Sequence, residues 1–179
     1  MHILQLVPEP MRSLMKSQSR AFHDFTLKPA GDFFHSWIPQ YYESSRPAVP
    51  LLELQVGQSH SVTWNVSKLE VIRFACAVGD FNKAHTIGSS LFKNKPVAHG
   101  MLVASVWSRI FGTEFPGDGT IYLEQSIKWL KPVYVGETIV GAVTITDINA
   151  EKGTIAFATT VHLEDGKLAV TGESISLSS

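Results

Sequence analysis

His99-Gly100-Met101-Leu102-Val103-Ala104-Ser105-Val106-Trp107-Ser108-Arg109-Ile110-Phe111 is the stretch that decides the fold. Wound as a helix, it is apolar on nearly every side. A surface helix carries one apolar stripe, so a helix of this kind has to be covered by other elements. Pro96 precedes it and Gly112 is expected to end it. The C-terminal part of the chain can supply the cover. Four strand-like stretches, Thr120 to Leu130, Thr138 to Ile148, Gly153 to Leu163 and Leu168 to Leu177, run to the end of the chain. Ile139, Gly141, Val143 and Ile145 alternate onto one face, as do Ile155, Phe157, Thr159, Val161 and Leu163. The turns Pro116-Gly117-Asp118-Gly119 and Glu164-Asp165-Gly166 punctuate them. Four consecutive strands joined by tight turns predict an antiparallel sheet, with the buried helix on its concave face. The fold class is therefore α+β, a sheet wrapped around a central helix.

Upstream of that helix, Ser61 to Val66 alternates as a further strand. Ser67-Lys68-Leu69-Glu70 reads as a capping box, which opens a helix over Lys68 to Val78 with Gly79 as its stop. The regular pattern thus begins near Leu51, and two regions are expected: an extension over 1–50 and a domain over 51–179. The extension is irregular and rich in aromatic residues (Phe22, Phe25, Phe33, Phe34, Trp37, Tyr41, Tyr42), with a short helix expected over Met11 to Phe22. That content favours a segment packed on a domain over a free linker. A second reading stays open. Residues 1–23 carry Arg12, Lys16, Arg20 and several serines against the one acid Glu9, as an organelle presequence would. The expected location is cytoplasmic on the first reading and the mitochondrial matrix on the second.

Charge and composition remove several functions. Fifteen Lys plus Arg oppose sixteen Asp plus Glu, for a formal charge of -1, so the electrostatic basis of a general nucleic-acid binder is missing. The charged fraction of 17% is below the usual ~25%, which is consistent with surface being covered in an oligomer. Cys76 is the single cysteine, which excludes an intrachain disulfide framework and any multi-cysteine metal site. No apolar run approaches the ~20 residues of a membrane-spanning helix, so no membrane partner is expected. No Gly-x-Ser-x-Gly elbow marks a serine hydrolase.

Two polar clusters interrupt the apolar pattern. Gly79-Asp80-Phe81-Asn82-Lys83-Ala84-His85 lies on the loop between the two helices. A carboxylate and an imidazole that converge there can hold one water and move its proton. The bland alternative is an exposed turn capped by Asp80. The second cluster, Pro96-Val97-Ala98-His99-Gly100-Met101, puts Gly100 at the amino end of the central helix. Unpaired amides and the positive end of the helix dipole favour negative charge there. Glycine lets a ligand approach its N–H closely, and an enolate oxygen would be stabilised. Asp80, by contrast, follows the carboxyl end of the preceding helix, where burial would make it a better base. The two helix ends thus take opposite roles if they face one cavity. His99 is expected to fix the loop by a hydrogen bond, and the remaining histidines lack ligand spacing.

Beyond this the chain resembles a known family. Phe74-Ala75-Cys76-Ala77-Val78-Gly79-Asp80-Phe81-Asn82-Lys83-Ala84-His85 is similar to the hydratase 2 motif of the MaoC-like family, the (R)-specific enoyl-CoA hydratases. Pro96 to Leu102, Ala104 to Ser108, Gly119 to Ser126 and Lys131 to Glu137 resemble the same family in the same order. The likeness covers about 51–179. It implies a hot-dog fold, a homodimer, and no metal or redox cofactor, with a CoA or acyl-carrier-protein thioester as substrate. It implies syn addition of water to a trans-2-enoyl thioester, or the reverse dehydration, in fatty-acid or polyhydroxyalkanoate metabolism. Carried onto this chain, Asp80 and His85 hold and deprotonate the water, Asn82 orients that water or the dyad, and Gly100 donates its N–H to the thioester oxygen. Ser108 lines the acyl pocket, with Val103, Trp107 and Phe111 as its apolar wall. Three residues depart from the pattern: Lys83 and Ala84 stand where the family has Pro and a branched aliphatic residue, and Ile87 where it has an acid; the loop from His85 to His99 is also shorter, and Lys83 is placed to pair with Asp80. Candidates for the CoA phosphates are Lys93, Lys95, Arg109, Lys128 and Lys131. Two other functions fit the same fold: a non-catalytic acyl-thioester-binding subunit, which retention of Asp80, Asn82 and His85 argues against, and an acyl-CoA thioesterase.

Overall fold

The structure, a computed structural model, describes residues 46–178. The expected helix over Met11 to Phe22, the aromatic cluster up to Tyr42 and the presequence reading lie outside the described residues. In chain order the elements are a short 3-10 turn (Leu51–Glu53), β1 (Ser59–Asn65), α1 (Lys68–Val78), α2 (Lys83–Thr86), a second 3-10 turn (Ser90–Phe92), α3 (Gly100–Arg109), β2 (Ile121–Trp129), β3 (Thr138–Asn149), β4 (Thr154–Leu163) and β5 (Leu168–Leu177).

Helix α1 has the bounds its sequence predicts, because both of its ends are specified locally. Glu70 N–H donates to Ser67 Oγ at 3.3 Å, and Ser67 N–H returns a bond to Glu70 Oε2 at 2.7 Å. Gly79 closes the helix at φ 78°, a left-handed conformation that favours glycine. Burial alone would raise the Glu70 carboxyl. The hydrogen bonds from Ser67 and the Trp64 indole, with the nearby Arg73 charge, outweigh it and hold the group below its ordinary value of 4.5. A carboxylate depressed in the folded state stabilises the fold above its unfolded pKa, and that stabilisation is lost as pH falls through the folded value. Ser67→Ala should therefore cost about 1 kcal/mol at neutral pH, read as a lower urea midpoint. The gap between variant and wild type should narrow below about pH 4.

The five strands form one antiparallel sheet in the order β1-β3-β4-β5-β2. This corrects the expectation of four consecutive hairpin-linked strands. Only β3, β4 and β5 are a meander; β2 lies at the far edge, paired with β5. Its chain returns through residues 130–137 to start β3. The return is pinned by Ala98 N–H to Val133 O at 2.8 Å and by a bridge between Val97 and Tyr134. Those bonds tie the loop before α3 to the loop after β2, the region where the polar residues gather.

The alternation on β3 and β4 puts Ile139, Val143, Ile145, Ile155, Phe157 and Val161 into the core, each at most 1% exposed. Helix α3 lies on this face. A Cβ at Gly141 would stand 2.5 Å from Val106 Cγ1, so the missing side chain lets the helix sit directly on β3. Leu102, Val103, Ala104, Val106 and Trp107 are buried beneath it, whereas Met101, Ser105 and Ser108 are exposed. Among the described residues the helix is therefore covered on the sheet side only.

Gly112 does not end the helix. It lacks the positive φ of a capping glycine, and the chain continues through a wider turn, Ile110–Glu114, closed by Phe115 N–H to Ile110 O at 2.7 Å. Glu114 holds that turn by bonding Arg109 Nε at 3.0 Å and His60 Nε2 on β1 at 2.9 Å. Residues 46–50 belong to the same body: Arg46 N–H donates to Thr113 O and Val49 N–H to Pro116 O.

Candidate active site

Asp80 and His85 come together. Helix α1 stops at Gly79 and releases Asp80 in an Asx turn, whose Oδ1 accepts from Asn82 N–H at 3.1 Å. Asn82 then caps α2, its Oδ1 accepting from Ala84 N–H at 2.9 Å. That short helix carries His85 back until its Nε2 lies 3.8 Å from Asp80 Oδ2. The gap exceeds a direct hydrogen bond, and a water touching both groups fits the separation.

The partners of the ring decide its tautomer. His85 Nδ1 lies 2.8 Å from Val97 O, and a carbonyl only accepts, so Nδ1 carries the proton. In the tautomer with hydrogen on Nδ1 alone, the lone pair at Nε2 faces Asp80. His99 does what the sequence suggests: Nε2–H donates to Asp80 O at 3.0 Å, which fixes the loop from the helix side. The rings of His85 and His99 stack with centroids 3.8 Å apart, and Phe74 closes the stack behind His99 at 5.1 Å. His99 Nδ1 is buried with no partner among the described residues.

Gly100 follows at the amino end of α3, whose first turn receives no side-chain cap from His99. Its amide is one of the orphan donors of the helix. Asp80, His85 and the loop that leads into Gly100 are thus linked by a continuous set of hydrogen bonds.

Several expected features are placed differently. Asn82 spends its oxygen on the cap of α2, accepting from Ala84 N–H, which leaves the expected orientation of the dyad and not that of the water. Lys83 makes no ion pair with Asp80 among the described residues, because it opens α2 while the carboxylate turns toward His85. The Asp80 carboxylate is 50% exposed, so the burial expected of it is not supplied by the described residues. Val103, Trp107 and Phe111 are 2%, 0% and 1% exposed. They fill the core between α3 and the sheet, and the Trp107 indole donates to Thr160 O on β4 at 3.1 Å. Ser108 is exposed, about 12 Å along the helix axis from Gly100. Arg109 is held by Glu114, Nη2 to Oε1 at 2.8 Å, and is not a free cation for a phosphate.

One residue of the site carries no signal in the sequence. Trp129, the last of β2, lies against Gly100: a Cβ there would stand 2.6 Å from its Nε1 and 2.9 Å from its Cε2. No periodicity or motif marks it. Only the return of the β2 end toward α3 reveals the contact.

Asp80, His85 and His99 also form the one group of potential metal ligands among the described residues, with ligand atoms within 4.8 Å of one another. The geometry does not suit a cation. Stacked rings inclined by 27° send their in-plane lone pairs side by side, whereas a tetrahedral ion needs them to converge. His85 Nδ1 and His99 Nε2 are moreover occupied by carbonyls. A cleft of about 510 Å³ lies elsewhere, on the sheet between Gln125, Thr146, Phe157 and Ser174. It has two carboxylates, Glu124 and Glu173, but no imidazole. The chemistry therefore points to Asp80 and His85.

Comparison with known proteins shows the family. The model of the MaoC-like domain matches residues 53–167. The (R)-specific enoyl-CoA hydratase of Aeromonas caviae is 35% identical over 125 residues, covering 68% of this chain and 93% of that protein. The protein of the same description from Rhodospirillum rubrum is 37% identical over 125 residues, covering 68% and 85%. A solved structure described as the (R)-hydratase from A. caviae involved in PHA biosynthesis superposes with a TM-score of 0.67 at 34% identity, over 70% of this chain and 97% of that one.

Proposed function

Since the chain belongs to the MaoC-like domain family and has its hot-dog fold, we propose that it adds water to trans-2-enoyl-CoA to give (R)-3-hydroxyacyl-CoA, and catalyses the reverse dehydration. It is then a carbon–oxygen lyase. The observation that carries the reading is the 3.8 Å separation of Asp80 Oδ2 and His85 Nε2 beside the amino end of α3.

The groups act in sequence. A water held between the carboxylate and the imidazole loses a proton to the pair as its oxygen bonds to Cβ of the substrate. The C=C pair moves toward the thioester, and charge gathers on its oxygen. Gly100 N–H, with the dipole of α3 behind it, stabilises that oxygen where the negative charge develops. The pair then returns a proton to Cα on the face the water came from, so the addition is syn. His99 and Asn82 touch no reacting atom; they hold Asp80 and His85 through the backbone. Every proton in this cycle starts and ends on Asp80, His85, the water or the substrate.

A homodimer completes the proposal. β2 is an open edge, and Ile121, Leu123, Trp129 and Leu130 on and beside it are each at least 50% exposed. Such an edge pairs readily with its own copy about a two-fold axis. The same association would cover the exposed side of α3 at Met101, Ser105 and Ser108 and supply the burial that Asp80 lacks. Among the described residues no helix is long and apolar enough to cross a membrane.

Purified protein mixed with crotonyl-CoA should bleach the enoyl absorbance, and a dehydrogenase specific for the (R)-3-hydroxyacyl product should oxidise what forms. Release of free thiol without hydration would identify a thioesterase instead. Running the scan with CoA and with carrier-protein thioesters of several lengths assigns the carrier and the pathway.

A further inference from the structure

His99 stands where the local chemistry of the chain favours another residue. It is the N-cap of α3, its carbonyl accepting from Val103 N–H at 3.1 Å. Ser, Thr, Asp or Asn at that position would cap the first turn. The His99 side chain makes no such bond. It is 2% exposed, and its Nδ1 is buried with no partner among the described residues. An uncapped helix and an unsatisfied buried acceptor both cost stability. Local rules are broken in this way where a side chain serves a site.

The contacts that His99 does make reach both members of the catalytic pair. Nε2–H donates to Asp80 O at 3.0 Å. The ring stacks on His85 with centroids 3.8 Å apart, and Phe74 lies 5.1 Å from the His99 ring. The stack supplies what hydrogen bonding leaves open. The bond from His85 Nδ1 to Val97 O, at 2.8 Å, fixes one point of the ring and lets its plane turn about that bond. A ring packed against its face opposes the turn, and so keeps Nε2 from swinging away from Asp80 Oδ2. His99 can do this because the backbone before it is anchored: Val97 N–H donates to Ala84 O at 3.0 Å and Ala98 N–H to Val133 O at 2.8 Å. Phenylalanine would stack without donating, and glutamine would donate without stacking. Imidazole does both, and the orphan Nδ1 is its second nitrogen.

We propose that His99 is a positioning residue that sets the separation and aim of Asp80 and His85, the carbonyl bond acting on one and the ring stack on the other. The proposal rests on the reading of the site as an enoyl-thioester hydratase. Turnover then depends on the stack as well as on the tie to the loop.

Two variants separate the contacts. His99→Phe keeps a ring against His85 and loses the donor; His99→Gln keeps a donor of similar reach and loses the stack. Each should lower kcat about 10-fold with KM nearly unchanged, as a displacement well under 1 Å of the reacting groups does. In His99→Phe the orphan nitrogen disappears with the bond, so the urea midpoint should stay close to wild type while turnover falls. A double variant tests whether the effect passes through the pair. Asp80→Asn already breaks the pair, so adding either His99 substitution should lower the remaining rate by less than about 3-fold. Wild-type kcat in either single variant would overturn the proposal. So would an undiminished 10-fold loss in the Asp80→Asn background, or a rise in KM alone. Each of these is read against an active wild type. A wild-type protein that hydrates no enoyl thioester would instead overturn the functional reading itself, so the two failures are told apart.

Discussion

Asp80→Asn should lower kcat/KM for enoyl-CoA hydration by about 10²–10⁴-fold, the range for a positioned acid–base group, with an unfolding midpoint close to wild type. The substitution is unusually clean. Asp80 Oδ1 accepts from Asn82 N–H at 3.1 Å, and an asparagine oxygen in its place accepts the same bond, so the turn that leads to α2 survives. What disappears is the charge and the basic oxygen 3.8 Å from His85 Nε2. His85→Ala should cost a similar factor, but it also removes the 2.8 Å bond to Val97 O and the stack on His99. Its circular dichroism must be compared with wild type before the rate is read. Rates within a few-fold of wild type for Asp80→Asn would remove the carboxylate from the mechanism.

The second large effect concerns stability. Trp107→Ala should destabilise the fold by about 3–5 kcal/mol, as truncation of a large buried aromatic does. That is a major part of the roughly 5–15 kcal/mol typical of a domain, and a urea or thermal unfolding curve measures it. Trp107→Phe should cost less, losing chiefly the bond to Thr160 O. If Trp107 lined the acyl pocket, as the family resemblance implies, the alanine variant would remain stable and shift the preferred chain length. Its complete burial on the sheet side of α3 predicts the opposite: weaker folding, with chain-length preference unchanged in the molecules that remain folded.

These two residues mark what sequence can and cannot say here. Asp80 and His85 are legible because a capping box, a stop glycine and a short polar loop are specified within a few residues of one another. β3 and β4 are legible for the same reason, since strict alternation names the buried face directly. Trp107 is not, because a helix apolar on most sides does not declare which side meets the sheet. That is decided by Gly141, on another element, making room for Val106. The strand order escapes the sequence because β2 and β3 adjoin in the chain, whereas pairing is set by the return through 130–137. Gly112 looks like a stop and is not, because Glu114 binds Arg109 and His60 and holds one more turn. Trp129 leaves no local signal at all: its contact with Gly100 joins a strand end to a helix start.

The position of β5 has a consequence for how the molecule is made. The last strand among the described residues is not at the rim of the sheet; it lies between β4 and β2. During synthesis β2 emerges early and has no neighbour until Leu168–Leu177 follows it, so its apolar side chains wait unpaired through the production of two further strands. Pairings this distant close late and slowly. Trp129 sits at the end of that waiting strand, and a chain lacking β5 would lose the only strand that joins β2 to the rest of the sheet among the described residues.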